Sequence, residues 1–109
     1  MDLALILQRL HAIRDNNQWQ VFHTPKNLAT AASVEMAELN EIFQWLTPEQ
    51  SRQLSDEQRQ AAGAEVADIL MYLMLFCAES GIDMEQALLD KLAFNEERLA
   101  VGVIVTLIA

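Results

Sequence analysis

Two pairs of acids, each set into an otherwise apolar helical stripe, constrain this chain more than any other feature. Glu35 and Glu38 lie one helical turn apart within the run 32–45, and Glu65 and Asp68 repeat that spacing further on. At about 100° per residue, Leu28, Leu39, Ile42 and Leu46 fall within about 40° of Glu35 on the helical wheel. Glu35 is therefore central on the face that should be buried, Glu38 is on its edge, and Glu41 is on the polar side. Glu65 is flanked in the same way by Ile69, Tyr72 and Phe76. Carboxylates driven together on apolar faces repel, and burying them unpaired costs several kcal/mol more. Seven basic residues against sixteen acids, a net charge of −9, leave few side-chain cations to offset this. A hard divalent cation with oxygen ligands is the economical solution, and Mg2+ is the usual one beside phosphates. Glutamates that reach solvent past a narrow stripe, or that stay protonated, are the plainer alternative.

The rest of the chain reads as helices. Its 109 residues suggest one domain, 1–109, and three glycines with two prolines favour an all-α fold over a turn-rich β fold. Asp2 caps a first helix with the apolar face Leu3, Ile6, Leu7, Leu10 and Ile13, fading at Asn16-Asn17. Thr24-Pro25 is a cap followed by proline at the first helical position, opening a helix to Leu46. Thr47-Pro48 stops it and, with Gln50, starts a short turn; Ser55 with Gln58 is a second capping-box pattern. A third long helix then runs to Glu79, with Gly63 inside it marking a close contact or local break. Gly81 ends it in the left-handed position, and Asp83 with Gln86 opens a last helix ending near Arg98. Four main helices imply a bundle-like protomer.

Ile69 to Ala78 is apolar nearly all round, which a surface helix of a monomer would not be. A homodimer or homotetramer with a shared helical core is expected, against a central helix within a single bundle. The stretch 99–109 is almost wholly apolar and is open to three readings: a short strand, a strap over the core, or a patch for a further subunit. The acidic balance argues against binding a nucleic-acid polymer or an anionic membrane through a basic surface. The longest uninterrupted apolar run, ten residues, is too short for a bilayer span. The lone Cys77 and the lack of a signal-peptide pattern point to a reducing, cytoplasmic setting.

Two further groups of residues carry chemistry. Lys91 and Asn95 share a face of the last helix with Leu88, Leu92 and Leu99, from which they could reach a phosphate; Lys91 snorkelling to an acid is the simpler reading. Trp19, Phe22 and His23 precede the second helix, Trp45 lies near its end, and Tyr72 is two turns after Glu65. Taken singly these are core or loop residues; together, beside a carboxylate-held metal, they would suit a nucleobase joined to a triphosphate. A di-iron bundle would need Glu-x-x-His, which neither His11 nor His23 completes, and no adjacent His-Asp pair is present for that class of phosphohydrolase.

Glu35-x-x-Glu38 followed by Glu65-x-x-Asp68 resembles the paired motif of the MazG-like all-α nucleoside triphosphate pyrophosphohydrolases. The segments Trp19-x-x-Phe-His-x-Pro-x-Asn-Leu28, Glu38-Leu-x-Glu-x-Phe-Gln-Trp45, Glu65-Val-Ala-Asp-Ile-Leu-x-Tyr72, Gly81-Ile-Asp83 and Lys91-x-x-x-Asn95-x-x-Arg98 resemble its small one-domain branch, which includes the dCTP pyrophosphatases. The resemblance covers about residues 9–98. It implies that Glu35, Glu38, Glu65 and Asp68 hold Mg2+, with Mn2+ as a substitute. It implies phosphate contacts from Lys91 and Asn95, and a base and sugar pocket from Trp19, His23, Asn27, Trp45 and Tyr72, partly across a subunit boundary. The implied reaction releases a monophosphate and pyrophosphate from a (deoxy)nucleoside triphosphate, with dCTP-, dATP-type or modified nucleotides as substrates in a nucleotide-pool housecleaning role. Glu38, beside Glu35, is the candidate to orient or deprotonate the attacking water. The apolar stretch after Arg98 departs from the branch, whose members continue with an aromatic residue, proline and a polar tail. The competing function is a non-catalytic helical dimer that binds a nucleotide or protein partner around a structural metal.

Overall fold

The computed structural model describes residues 1–100, with the backbone alone at Ala100. The expectations for the apolar tail therefore lie outside the described residues from position 101 onward. The described residues are helical without strands: α1 Leu3–Asn16, a 3-10 turn Gln20–Phe22, α2 Pro25–Phe43, a one-turn α3 Pro48–Ser51, α4 Asp56–Ser80 and α5 Met84–Ala100.

Each helix starts where a side chain can satisfy its free N–H groups. Asp2 Oδ1 accepts from Leu5 N at 3.0 Å, Thr24 Oγ1 from Asn27 N at 3.2 Å, and Asp83 Oδ1 from Gln86 N at 3.0 Å. Thr47 with Gln50 and Ser55 with Gln58 form reciprocal capping boxes. Gly81 closes α4 at φ 68, in the left-handed region that a side chain disfavours.

Two expectations are corrected. α2 stops at Phe43 rather than Leu46, because Thr47 must be extended (ψ 162) to cap α3, and Leu46 N closes a tight turn on Phe43 O at 2.9 Å. Gly63 marks neither a break nor a close contact within the chain: α4 runs through it, and a Cβ there would meet nothing within 4 Å.

The core is the seam between α2 and α4. Leu28 and Ala32 on α2, one turn apart, are buried, as are Met74 and Leu75 on α4. The helices run antiparallel: Glu38, late in α2, meets Glu65, early in α4, while the residues just before α2 face the later turns of α4. Glu35 is the next position on the Leu28–Ala32 stripe, so the packing that buries those two residues also aims Glu35 at α4.

This seam leaves much apolar surface open. Val66, Leu70 and Leu73 form an exposed i, i+4, i+7 stripe on α4, and Leu88, Leu92 and Leu99 form another on α5. α4 is also, by length and composition alone, apolar enough to cross a bilayer. The ten-residue run counted in the sequence understates its total hydropathy, because Glu65 and Asp68 interrupt a longer stretch of apolar residues that continues before them.

Candidate functional site

Glu35, Glu38 and Glu65 converge: one carboxylate oxygen from each lies within 4.8 Å of the other two. α2 supplies two of them from consecutive turns, and α4 supplies the third across the seam. Glu35 and Glu65 are half-buried and Glu38 is exposed, so the cluster opens to solvent on the Glu38 side. Their ionisation records the crowding. The Glu65 carboxyl facing Glu35, then partial burial, pushes Glu35 above the ordinary carboxylate range. Glu38 is pushed up chiefly by Glu35 beside it. Glu65 Oε2 is buried with no hydrogen-bond partner.

Asp68 is not drawn into this cluster. Its side chain is one methylene shorter than glutamate, and it stands on the wall of the adjoining cleft, where its charge still acts on Glu35. That cleft, of about 220 Å³, is lined by Leu10, Ile13, Arg14, Trp19, His23, Glu35, Asp68, Met71, Tyr72 and Leu75. Three of the aromatic-segment residues expected at the site, Trp19, His23 and Tyr72, are therefore beside the acids.

The connector between α1 and α2 is braced to put them there. Gln18 takes a left-handed turn (φ 55), and Trp19 N donates back to Arg14 O at 2.9 Å. Asn27 Nδ2 donates to Phe22 O at 3.0 Å, closing the 3-10 turn onto α2. The Trp19 and His23 rings lie 6.4 Å apart, centroid to centroid, and His23 Nδ1 is buried without a partner.

The remaining expected residues lie elsewhere in the single chain. Trp45 sits in the turn after α2 and is 87% exposed. Lys91 is exposed on α5, its Nζ 4.7 Å from the centre of the Phe94 ring, and Asn95 is half-buried on the same helix; neither lines the cleft.

One residue of the cleft went unnoticed in the sequence. Arg14 lines the cleft, held by Asp15 and Glu79. The signal was available: Leu3, Leu7, Leu10 and Arg14 follow i, i+4, i+7, i+11 spacing, so Arg14 continues the half-buried stripe of α1. His11, set aside above as a di-iron ligand, has its Nε2 buried without a partner, as His23 has its Nδ1.

The donor set fits a hard divalent cation. All three ligating groups are carboxylates, one with an orphaned buried oxygen, and their spacing is close to what a shared ion draws together at metal–oxygen distances of about 2.0–2.6 Å. No histidine or thiol competes within the cluster, which disfavours a zinc-type site.

Comparison with known proteins agrees with this geometry. The profile of the MazG-like family matches residues 30–102. The chain is 38% identical over 98 residues to dCTP pyrophosphatase 1 of Bos taurus, an alignment covering 87% of this chain and 58% of that protein. The Homo sapiens dCTP pyrophosphatase 1 is 36% identical over 95 residues, covering 84% and 56%. This chain thus spans little more than half the length of these mammalian relatives. The crystal structure of a pyrophosphatase from Archaeoglobus fulgidus superposes with a TM-score of 0.84 at 34% identity, covering 90% of this chain and 92% of that one. An antiparallel helix pair carrying inward acids, a family profile over two thirds of the sequence and a structural match over nine tenths of the chain together show that the chain belongs to the MazG-like family.

Proposed function

We propose that this protein is a Mg2+-dependent nucleoside triphosphate pyrophosphohydrolase, splitting a (deoxy)nucleoside triphosphate between its α- and β-phosphates in the cytoplasmic nucleotide pool. The observation that carries the proposal is the convergence of Glu35, Glu38 and Glu65 beside an aromatic cleft. The named activities of the mammalian and archaeal relatives support the same reading.

Glu35, Glu38 and Glu65 would hold the cation, with Asp68 on the adjoining wall as a further carboxylate donor. When bound, Mg2+ or Mn2+ would neutralise triphosphate charge and polarise the phosphoryl oxygens, making the phosphorus more open to attack by water. The protein's own groups do the rest. Trp19 and Tyr72 offer faces for the base, and His23 has a free ring nitrogen on the same wall. Asn27 acts by fixing the turn that carries Trp19 and His23. Glu38, on the solvent-exposed side of the cluster, orients the attacking water and takes its proton.

Lys91, Asn95 and Trp45 enter this scheme from a second copy. The open stripes Val66-Leu70-Leu73 and Leu88-Leu92-Leu99 give two copies apolar surface to pair through, and pairing would bring α5 of one protomer toward the cleft of the other.

The direct test is a panel of dNTPs and NTPs with Mg2+, scored for pyrophosphate. Release of pyrophosphate and monophosphate from at least one of them is expected. Folded protein that yields pyrophosphate from none would refute the proposal.

A further inference from the structure

The cleft has acids at one end and an arginine at the other. Asp68, Tyr72, Leu75 and Glu79 follow one another at helical spacing on a single face of α4. At 1.5 Å per residue, Glu79 stands about 16 Å along the axis from Asp68 and about 21 Å from Glu65. Arg14 reaches across from α1 to this far end. Its Nη1 lies 3.2 Å from Glu79 Oε1 and its Nε 2.9 Å from Asp15 Oδ1, and its side chain is 17% exposed. Among the described residues it is the one arginine or lysine lining the cleft.

Two carboxylates fix the plane of the guanidinium, and they use only part of its set of N–H donors. The clamp also includes the aromatic wall. Asp15 Oδ1 accepts from Gln20 Nε2 at 2.9 Å, and Arg14 O accepts from Trp19 N at 2.9 Å, so Arg14 and Trp19 are held as one unit. A ligand whose phosphates are drawn to the acid end delivers its opposite end to this unit.

We infer that Arg14 reads the edge of the nucleobase, donating its remaining N–H groups to acceptors placed side by side, as cytosine places N3 and O2, and so sets base preference. Thymine interrupts its two carbonyls with an N–H donor, which meets the guanidinium as a like group. The inference rests on the nucleotide reading proposed above, so its test separates binding from turnover.

The experiment compares dCTP with dTTP by kcat/KM, and α,β-imido-dCTP with α,β-imido-dTTP by calorimetry, in wild type, Arg14→Met, Arg14→Lys and Glu79→Gln. Arg14→Met is expected to weaken dCTP kcat/KM and the dCTP analogue's affinity by about 10- to 100-fold, while the dTTP pair changes less than about threefold. Lysine restores only part of the discrimination, because it lacks the planar fork. Glu79→Gln loosens the tie between α1 and α4 but keeps the donors, and so retains most of the discrimination. Equal losses for both bases would overturn the inference. So would a Glu79→Gln variant that reproduces the Arg14→Met losses with the same fall in melting temperature, since Arg14 would then act only as a tie between helices. Wild type that prefers the dCTP analogue but turns nothing over would sink the catalytic reading and leave this one standing. Wild type that binds neither analogue would sink both.

Discussion

Replacing Glu65 by glutamine separates a metal site from an accidental cluster of acids, because the two accounts predict opposite effects on the metal-free protein. Glu65 brings a buried oxygen without a partner and a negative charge against Glu35. If the cluster exists to hold a cation, the metal-free wild type carries unrelieved repulsion. Glu65→Gln removes it, and the new amide can donate to Glu35, so the metal-free variant should melt at the wild-type temperature or above. Adding metal reverses the order. Mg2+ at a hundred times its dissociation constant stabilises the folded state by about 2.7 kcal/mol. Unfolding entropy near 2.1 cal/mol/K per residue gives about 0.23 kcal/mol/K for 109 residues, so the wild-type melting temperature should rise by about 12 °C. Losing one of three charged ligands should weaken binding by at least about 100-fold, the upper end of what a supporting contact alone is worth. At the same Mg2+ concentration the stabilisation then falls to about RT ln 2, or roughly 0.4 kcal/mol and 2 °C. Scanning calorimetry at fixed protein concentration, in chelator and in Mg2+, measures both numbers. A variant that melts well below wild type in chelator and yet keeps the full Mg2+ shift would refute the reasoning.

Three more expectations follow from the same geometry. Glu38→Gln should lose pyrophosphate release by at least about 100-fold while keeping the wild-type helical circular dichroism; a variant at wild-type rate would remove Glu38 from the site. Glu35 and Glu38 are raised above their ordinary value of 4.5 in the folded chain, so the stability they contribute is complete below that pH and is lost as pH rises through their folded values. The metal-free melting temperature of wild type relative to Glu38→Gln should therefore fall as pH rises above about 4.5, and the Mg2+ shift should grow over the same rise as metal replaces proton; a difference that is flat with pH would contradict this. Leu28 is 2% exposed at the seam that aims Glu35, so Leu28→Ala should cost about 2–5 kcal/mol by denaturant unfolding and shrink the Mg2+ shift as well. A loss below about 1 kcal/mol would mean that the seam is not the core.

Much of this was legible in the sequence because it is local. A cap needs only a hydroxyl or carboxylate three residues from an N–H, so Thr24, Thr47, Ser55 and Asp83 announced their helices, and Gly81 announced the end of α4. The inward aim of Glu35 and Glu65 followed from 3.6-residue periodicity, which packing against a neighbour preserved. What periodicity does not contain is the rotation of one helix against the next. It placed Asp68 on the right face, but not at the distance that kept it out of the three-oxygen cluster. Arg14 escaped notice because an arginine in the last turn of a helix reads as a complement to the helix dipole; its salt bridge to Glu79, sixty-five residues away, exists only in three dimensions. Trp45, Lys91 and Asn95 show a second limit. Helical spacing puts each on a face but does not say which protomer's cleft that face meets, and the open apolar stripes of α4 and α5 have no cover within one chain among the described residues.

The central claim, that the three glutamates converge in order to share a divalent cation, is tested most directly by diffraction from crystals grown with Mn2+ and measured for its anomalous signal. The account predicts a Mn2+ peak bound by oxygens of Glu35, Glu38 and Glu65, and none in crystals of Glu65→Gln grown at the same Mn2+ concentration. Mn2+ bound only at other carboxylates, with these three side chains turned apart into solvent, would contradict it.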